Sequence, residues 1–263
     1  MYAASRDRRQ PKHVGSCILL DIDGTPVVST AAHVIDDIKT AEMFIAGLAG
    51  TQWVQITGGS IKTTPDRGSV RRQLDHFDCA FWTPPESAVA ALGPVEFLKS
   101  ERISHNRVPV ADRLYTAIGY PVSRNKDRIN YVARQLSTGI SMYTGTVEAM
   151  PALAASLGVS GREHLFMRFG KHAFTANGQQ INPFGPIGLS GGALLDLGDF
   201  AAPDVYARDP QRRALLSGML IEHDKRHRAL IAVKIGLILN GIRLALAQRT
   251  SPLRAGSSAA RHA

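Results

Sequence analysis

The chain has 263 residues, 44% of them hydrophobic and 20% charged, a balance that excludes a disordered chain and suffices for one large β domain or two small ones. Its formal net charge is +9, of which residues 1–13 and residues 249–263 carry +3 each. The excess therefore reads as two basic tails in solvent rather than as a nucleic-acid-binding face. Cys17 and Cys79, the only cysteines, are too few for the disulfide framework of a small secreted scaffold, and each sits in an apolar run as a buried free thiol would. The opening "MYAASRDRRQPKH" has no apolar h-region and does not read as a secretory signal. The longest apolar stretch, "ALIAVKIGLILNGIRLALA", is interrupted by Lys234, Asn240 and Arg243, so no membrane span is expected. Together these readings place the chain in the cytoplasm.

In chain order, short β-prone runs alternate with turn signals: "VGSCILL", the turn "DIDG", "TPVVSTA", "MFIAG", "TQWVQIT", the turn "GGS", and "DCAFW". After it come "LYTAIGY", "TGTVEAM", "HLFMRFG", "GGALLDL", "ALLSGMLIE" and "RALIAVKI". Regular spacing with Asp-Gly and Gly-Gly punctuation predicts an antiparallel sandwich or barrel. The polar segment "RNKDRINYVARQLS" reads as a long connection near mid-chain, and the strands on either side of it suggest two similar β units. Helical periodicity is strong only at the end, where "GLILNGIRLALAQ" predicts one helix over 236–248 with Leu237, Ile238, Ile242, Leu244 and Leu246 on one face.

The chemistry concentrates in "NPFGPIGLSGGALLDL", residues 182–197, where Gly188, Gly191 and Gly192 surround Ser190. A Gly-x-Ser-x-Gly elbow of the α/β-hydrolase kind requires a helix directly after the serine, then an acid, then a histidine, whereas "ALLDLGDFAAPDV" is strand-like and then broken. The other chemistry that uses such a turn places histidine, then aspartate, upstream of the serine. Both are present: His33 in "VVSTAAHVIDD" and Asp78 in "LDHFDCAFW". A serine hydroxyl is a poor nucleophile near neutrality. His33 would take its proton, Asp78 would set the imidazole tautomer, and the backbone N–H groups of Gly188 and Ser190 would receive the oxyanion. Asp75, Asp36 and Asp37 compete for the acid role, but the strand pattern that begins at Cys79 favours Asp78, with Asp75 as a cap or a solvent-facing group.

With "TAAH", "DCAFW" and "GLSGG" in this order, the sequence resembles the trypsin-like, chymotrypsin-fold serine proteases over roughly residues 14–248, "AIGYP" and "TGTV" included. The resemblance is to a bacterial-type, disulfide-free cytoplasmic member. It implies an all-β fold of two antiparallel six-stranded β-barrels with a C-terminal α-helix. The divisions expected are a disordered basic tail over 1–13, a barrel carrying histidine and aspartate over 14–110, a barrel carrying serine over 111–235, the helix over 236–248, and a disordered tail over 249–263. It also implies a serine endopeptidase acting through an acyl-enzyme on a protein or peptide, with no cofactor.

Departures from the family narrow this expectation. Leu189 stands where secreted members have an acid before the serine, and no Ile-Val-Gly-Gly start is present, so activation by zymogen cleavage is not expected and a regulatory protein partner is. Ala193 replaces the family's proline after the glycines. Phe184, at the position that forms the floor of the primary pocket, removes the acid needed for cleavage after Lys or Arg, and Ile221, Glu222 and His223 would form the pocket wall. A metal site at His223 and His227 is disfavoured because "HDKRH" is charged throughout and lies between two strands. Two other functions would use the same residues: a catalytically silent, protease-like binding module, and an esterase or self-processing acyl enzyme.

Overall fold

The computed structural model describes residues 1–5, 12–39, 41–46, 53–64, 75–104, 113–125, 129–130, 135–136, 139–175, 177–199 and 214–250. Eight strands lie in the first third of the chain: β1 (Tyr2–Ser5), β2 (Lys12–His13), β3 (Ile18–Ile22), β4 (Thr25–Ala31), β5 (Ala41–Ala46), β6 (Trp53–Gln55), β7 (Ser60–Thr63) and β8 (Cys79–Thr83). They form two four-stranded sheets, ordered β2-β1-β5-β6 and β3-β4-β8-β7. The helix α1 (Glu86–Ala91) follows.

The remainder supplies β9 (Arg113–Gly119), the short helix α2 (Val122–Asn125), a two-stranded pair β10 (Ile129–Asn130) and β11 (Gln135–Leu136), β12 (Ser141–Gly145) and the helix α3 (Pro151–Leu157). Next come β13 (His164–Arg168), a second small pair β14 (Ala173–Phe174) and β15 (Gln180–Ile181), then β16 (Ala193–Asp199), β17 (Leu215–Asp224), β18 (Ala229–Lys234) and the helix α4 (Ile235–Thr250). Six of these strands form one antiparallel sheet ordered β12-β9-β16-β17-β18-β13. Its two edges approach each other where Val147, just past β12, bridges Met167 of β13, and the Glu148 N–H donates to the Phe166 carbonyl at 2.9 Å.

The expected turn chemistry appears where Asp-Gly was read. Asp23 (φ 52°) and Gly24 (φ 84°) form a two-residue loop between β3 and β4, and the Asp21 carboxylate accepts the Gly24 N–H at 2.8 Å. Apolar runs without alternation mark strands buried on both faces. In β18, Leu230 and Ala232 join a core inside the six-stranded sheet with Leu165, Met167, Leu194 and Leu220, while Ile231 and Val233 join a second core. That second core contains Leu20, Val27 and Trp82 of the N-terminal sheets and Ile238 of α4, so one strand glues the two parts of the molecule together.

Three expectations change. The first barrel of six strands is replaced by two four-stranded sheets, because one edge of β5 is taken along its length by β1, from Tyr2↔Phe44 to Ser5↔Ala41, and the other by β6. Residues 1–5 and 12–13 of the expected disordered tail are therefore strand and its lead-in, with Tyr2 1% exposed. The apolar face of α4 is Ile235, Ile238, Leu239, Ile242 and Leu246, whereas Leu237 and Leu244 face outward, Leu244 at 66% exposure. The stripe begins one residue before the region read as helical, which rotates the buried face. Residues 251–263 and most of the mid-chain connection lie outside the described residues, but 129–130 and 135–136 within that connection pair as a hairpin.

Candidate functional site

β4 ends at Ala31 and delivers His33 into the 3-10 segment Ala32–Lys39. The Ala32 N–H donates to the Asp78 carbonyl at 2.7 Å, fixing the two chain segments side by side. One Asp78 carboxylate oxygen accepts the His33 backbone N–H at 2.9 Å, and the other lies 2.5 Å from His33 Nδ1. A carboxylate can only accept here, so Nδ1 carries a proton. Among the described residues the non-glycine positions with positive φ are Asp23, Arg228 and Asp78 (φ 42°); the first two turn hairpins, and Asp78 does not. Asp78 thus combines a left-handed backbone with a carboxylate that holds the histidine at two points.

Ser190 lies on the turn that leads into β16. Its hydroxyl donates to the Ile221 carbonyl of β17 at 3.2 Å. Ile221 sits at a register shift between β17 and β18, and bulges of this kind redirect neighbouring side chains. The next residue, Glu222, has its carboxyl pKa raised by burial and by the negative charges of Asp224 and Asp78, with His33 opposing the rise. Glu222 thus links the serine side of the site electrostatically to the His33–Asp78 pair.

The serine turn is held rigidly. The Ser190 carbonyl accepts the Ser16 N–H at 2.8 Å, and the Gly191 N–H donates to the Leu220 carbonyl at 2.7 Å. The Ile187 carbonyl accepts the Val122 N–H at 2.8 Å, and the Leu189 carbonyl accepts the Gly192 N–H at 2.7 Å. In a planar trans peptide the N–H points opposite its carbonyl, so these bonds direct the Gly188 and Ser190 N–H groups away from Val122 and Gly192. Neither N–H has a hydrogen-bond acceptor among the described residues.

None of the three glycines around Ser190 has room for a side chain: at Gly192 a Cβ would lie 2.4 Å from the Ile118 carbonyl. Gly188 has φ 93°, and a Cβ there would lie 2.8 Å from the His13 ring and 2.9 Å from the Tyr120 carbonyl. Gly191 has φ 83°, and a Cβ there would run into the Ser16 carbonyl. Leu189, at the position that carries an acid in secreted relatives of this pattern, is buried in the core of the six-stranded sheet.

Two of the expected pocket residues gather around a ring absent from the sequence reading. Phe169 packs tilted against Phe184 (centroids 6.0 Å) and Tyr143 (4.6 Å), and edge-on against His223 (5.5 Å). Phe184 and His223 therefore flank one aromatic ring, while Ile221 is buried in the other core, the one shared with the N-terminal sheets. Asp75 accepts the Phe77 N–H at 3.2 Å and the Thr64 hydroxyl at 3.3 Å, as a turn cap does. Asp36 is exposed. His227 bonds Asp224 at 3.0 Å across the β17–β18 turn, and no group of three metal-ligating side chains occurs among the described residues. No helix there is long and apolar enough to cross a membrane.

Ser16 and Thr30 also escaped the sequence reading. Ser16 Oγ donates to the Gly188 carbonyl at 2.8 Å and accepts the Tyr120 N–H at 2.9 Å, while Thr30 Oγ1 donates to the Ser16 carbonyl at 2.7 Å. The available signal was a fully buried hydroxyl inside an apolar run, "GSCILL", which must find partners.

The fold is that of the serine proteases of the chymotrypsin type. A thermostable serine protease, AL20, from an extremophilic microorganism is similar at 12% identity over 95% of both chains with a TM-score of 0.54. Mouse brain neuropsin, a serine protease, is similar at 12% identity over 93% of both chains with a TM-score of 0.53. The serine endoprotease of Yersinia pestis is similar at 16% identity and a TM-score of 0.51; 94% of this chain is covered, but only 62% of that longer one. No family model and no curated protein matches the sequence.

Proposed function

We propose that the chain is a serine endopeptidase in which Ser190 is the nucleophile, His33 the general base and Asp78 the residue that orients and charges His33. The observation that carries this reading is the double hold of Asp78 on His33, one carboxylate oxygen on the backbone N–H and the other on Nδ1, which orients the imidazole from its Nδ1 side. In the reaction, Ser190 Oγ releases the Ile221 carbonyl and attacks the scissile carbonyl carbon while its proton passes to His33 Nε2. The carbonyl oxygen, now negative, is received by the Gly188 and Ser190 N–H groups, which have no other acceptor among the described residues. Collapse of the adduct breaks the C–N bond, and the amine leaves with the proton from His33. Water then repeats the sequence on the acyl-enzyme and frees Ser190.

Within this proposal the substrate is a protein or peptide, and Phe184 supplies no carboxylate to pair with a cationic side chain at the primary pocket. Residues 14–110 and 111–235 serve as its two halves. The bond from Ser190 to the Ile221 carbonyl favours a second reading, a resting site that a regulatory partner or the substrate switches on.

A peptide-cleavage assay on aspartate variants tests the assignment. Asp78→Asn leaves the wrong tautomer of His33 facing the serine, and kcat should fall by about 10³–10⁴. Asp75→Asn, which loosens only a turn cap, should change kcat less than about threefold. The reverse ranking would overturn the assignment.

A further inference from the structure

Asp78 stands at φ 42°, in the left-handed region that residues other than glycine adopt uncommonly, so the segment that carries it needs support from its surroundings. Part of the hold comes from its own sheet: the Asp78 carbonyl on the Ala32 N–H, and Thr64 Oγ1 accepting the Cys79 N–H at 2.8 Å. The rest comes from the six-stranded sheet. His164, the first residue of β13, is 1% exposed, and its Nε2 lies 2.7 Å from the carbonyl of His76, two residues before Asp78. Its ring stacks on Phe77 with centroids 6.1 Å apart and planes 18° from parallel, and its Nδ1 lies 3.2 Å from the Ser160 carbonyl. Gly158, which ends α3 in the left-handed conformation, lies against the His76 ring. The two residues immediately before the acid are thus gripped by side chain and backbone of an opposing part of the molecule.

We infer that His164 is a positioning residue for the His33–Asp78 pair, holding Asp78 in its left-handed conformation across the junction between the six-stranded sheet and the N-terminal sheets. The inference rests on the protease reading for its consequence but not for its geometry. His164 makes no hydrogen bond to His33, Asp78 or Ser190; it acts through the His76 carbonyl and the Phe77 ring. Because a carbonyl only accepts, the side chain at 164 must donate to it. Glutamine can do so and phenylalanine cannot. Loss of the grip lets Asp78 relax toward ordinary φ, and its carboxylate then leaves His33.

The test uses the full chain as wild type, His164→Phe and His164→Gln. The low-field proton NMR spectrum reports the His33 Nδ1 proton shared with Asp78 whether or not the protein turns over, with His33→Ala supplying the assignment. The resonance should be present in wild type and His164→Gln and lost or broadened in His164→Phe. The His33 titration should fall in the same variant, since the imidazolium loses the Asp78 carboxylate. In a peptide assay, His164→Phe should lower kcat by roughly ten- to a hundredfold with KM little changed, and His164→Gln should recover most of the loss. If His164→Phe does not fold, Phe77→Leu carries the test with the same expected broadening. An unchanged resonance and titration in a folded His164→Phe or Phe77→Leu protein would overturn the inference. Absence of peptide cleavage in wild type with the NMR pattern as expected would instead count against the protease reading alone.

Discussion

At the scale of single residues, burial decides which groups are free to react. His13 packs edge-on to Tyr2 and beneath Gly188, and burial lowers its pKa from 6.5 to about 3. Between those values the unfolded chain binds a proton that the folded chain refuses, so stability rises with pH across that window. Stability should therefore be lost as pH falls from 6.5 toward 3, and His13→Leu should flatten the slope in chemical-denaturation curves taken at several pH values. A slope identical to wild type would show that His13 is not the group responsible. His33, Asp78 and Ser190 stood out in the sequence because each sits in a short motif whose residue types have a chemical reason, and the structure pairs the first two. Ser16, Thr30 and His164 were not, since a lone polar residue in an apolar strand reveals its partners only after folding has brought distant carbonyls to it.

Elements explain the accuracy and the errors of the strand reading. Runs such as "ALIAVK" are apolar throughout because β18 is buried on both faces, and their ends follow the glycine and aspartate turns closely. Pairing partners carry no such local mark: nothing in "YAAS" announces that it will occupy the edge of β5. The pairing of β9 with β16 is marked by charge as well. Arg113 reaches Asp196 at 3.1 Å, and that carboxylate is 2% exposed and also accepts the Gly198 N–H at 2.7 Å. Removing the guanidinium leaves a buried charge short of its main counter-ion, so Arg113→Ala should destabilise the fold by about 3 kcal/mol in urea denaturation. A change under about 1 kcal/mol would mean that water or another group replaces the arginine.

Across the whole molecule, the site exists only where two bodies of structure meet. β4 and the segment before β8 carry His33 and Asp78, while the turn into β16 and the bulge of β17 carry Ser190 and Ile221. Ser16 and Gly188 stitch these together, as do His164 and His76, and the shared core of β18 and α4 supports them from behind. Fold similarity at 12–16% identity speaks for this architecture and not for the reaction, which depends on the condition of one hydroxyl. Intact-mass analysis after treatment with a fluorophosphonate, run beside Ser190→Ala and His33→Ala, reads that condition directly. An activated serine predicts one adduct on the wild type and none on either variant. No adduct on the wild type, under conditions where the fold is intact, would contradict the account.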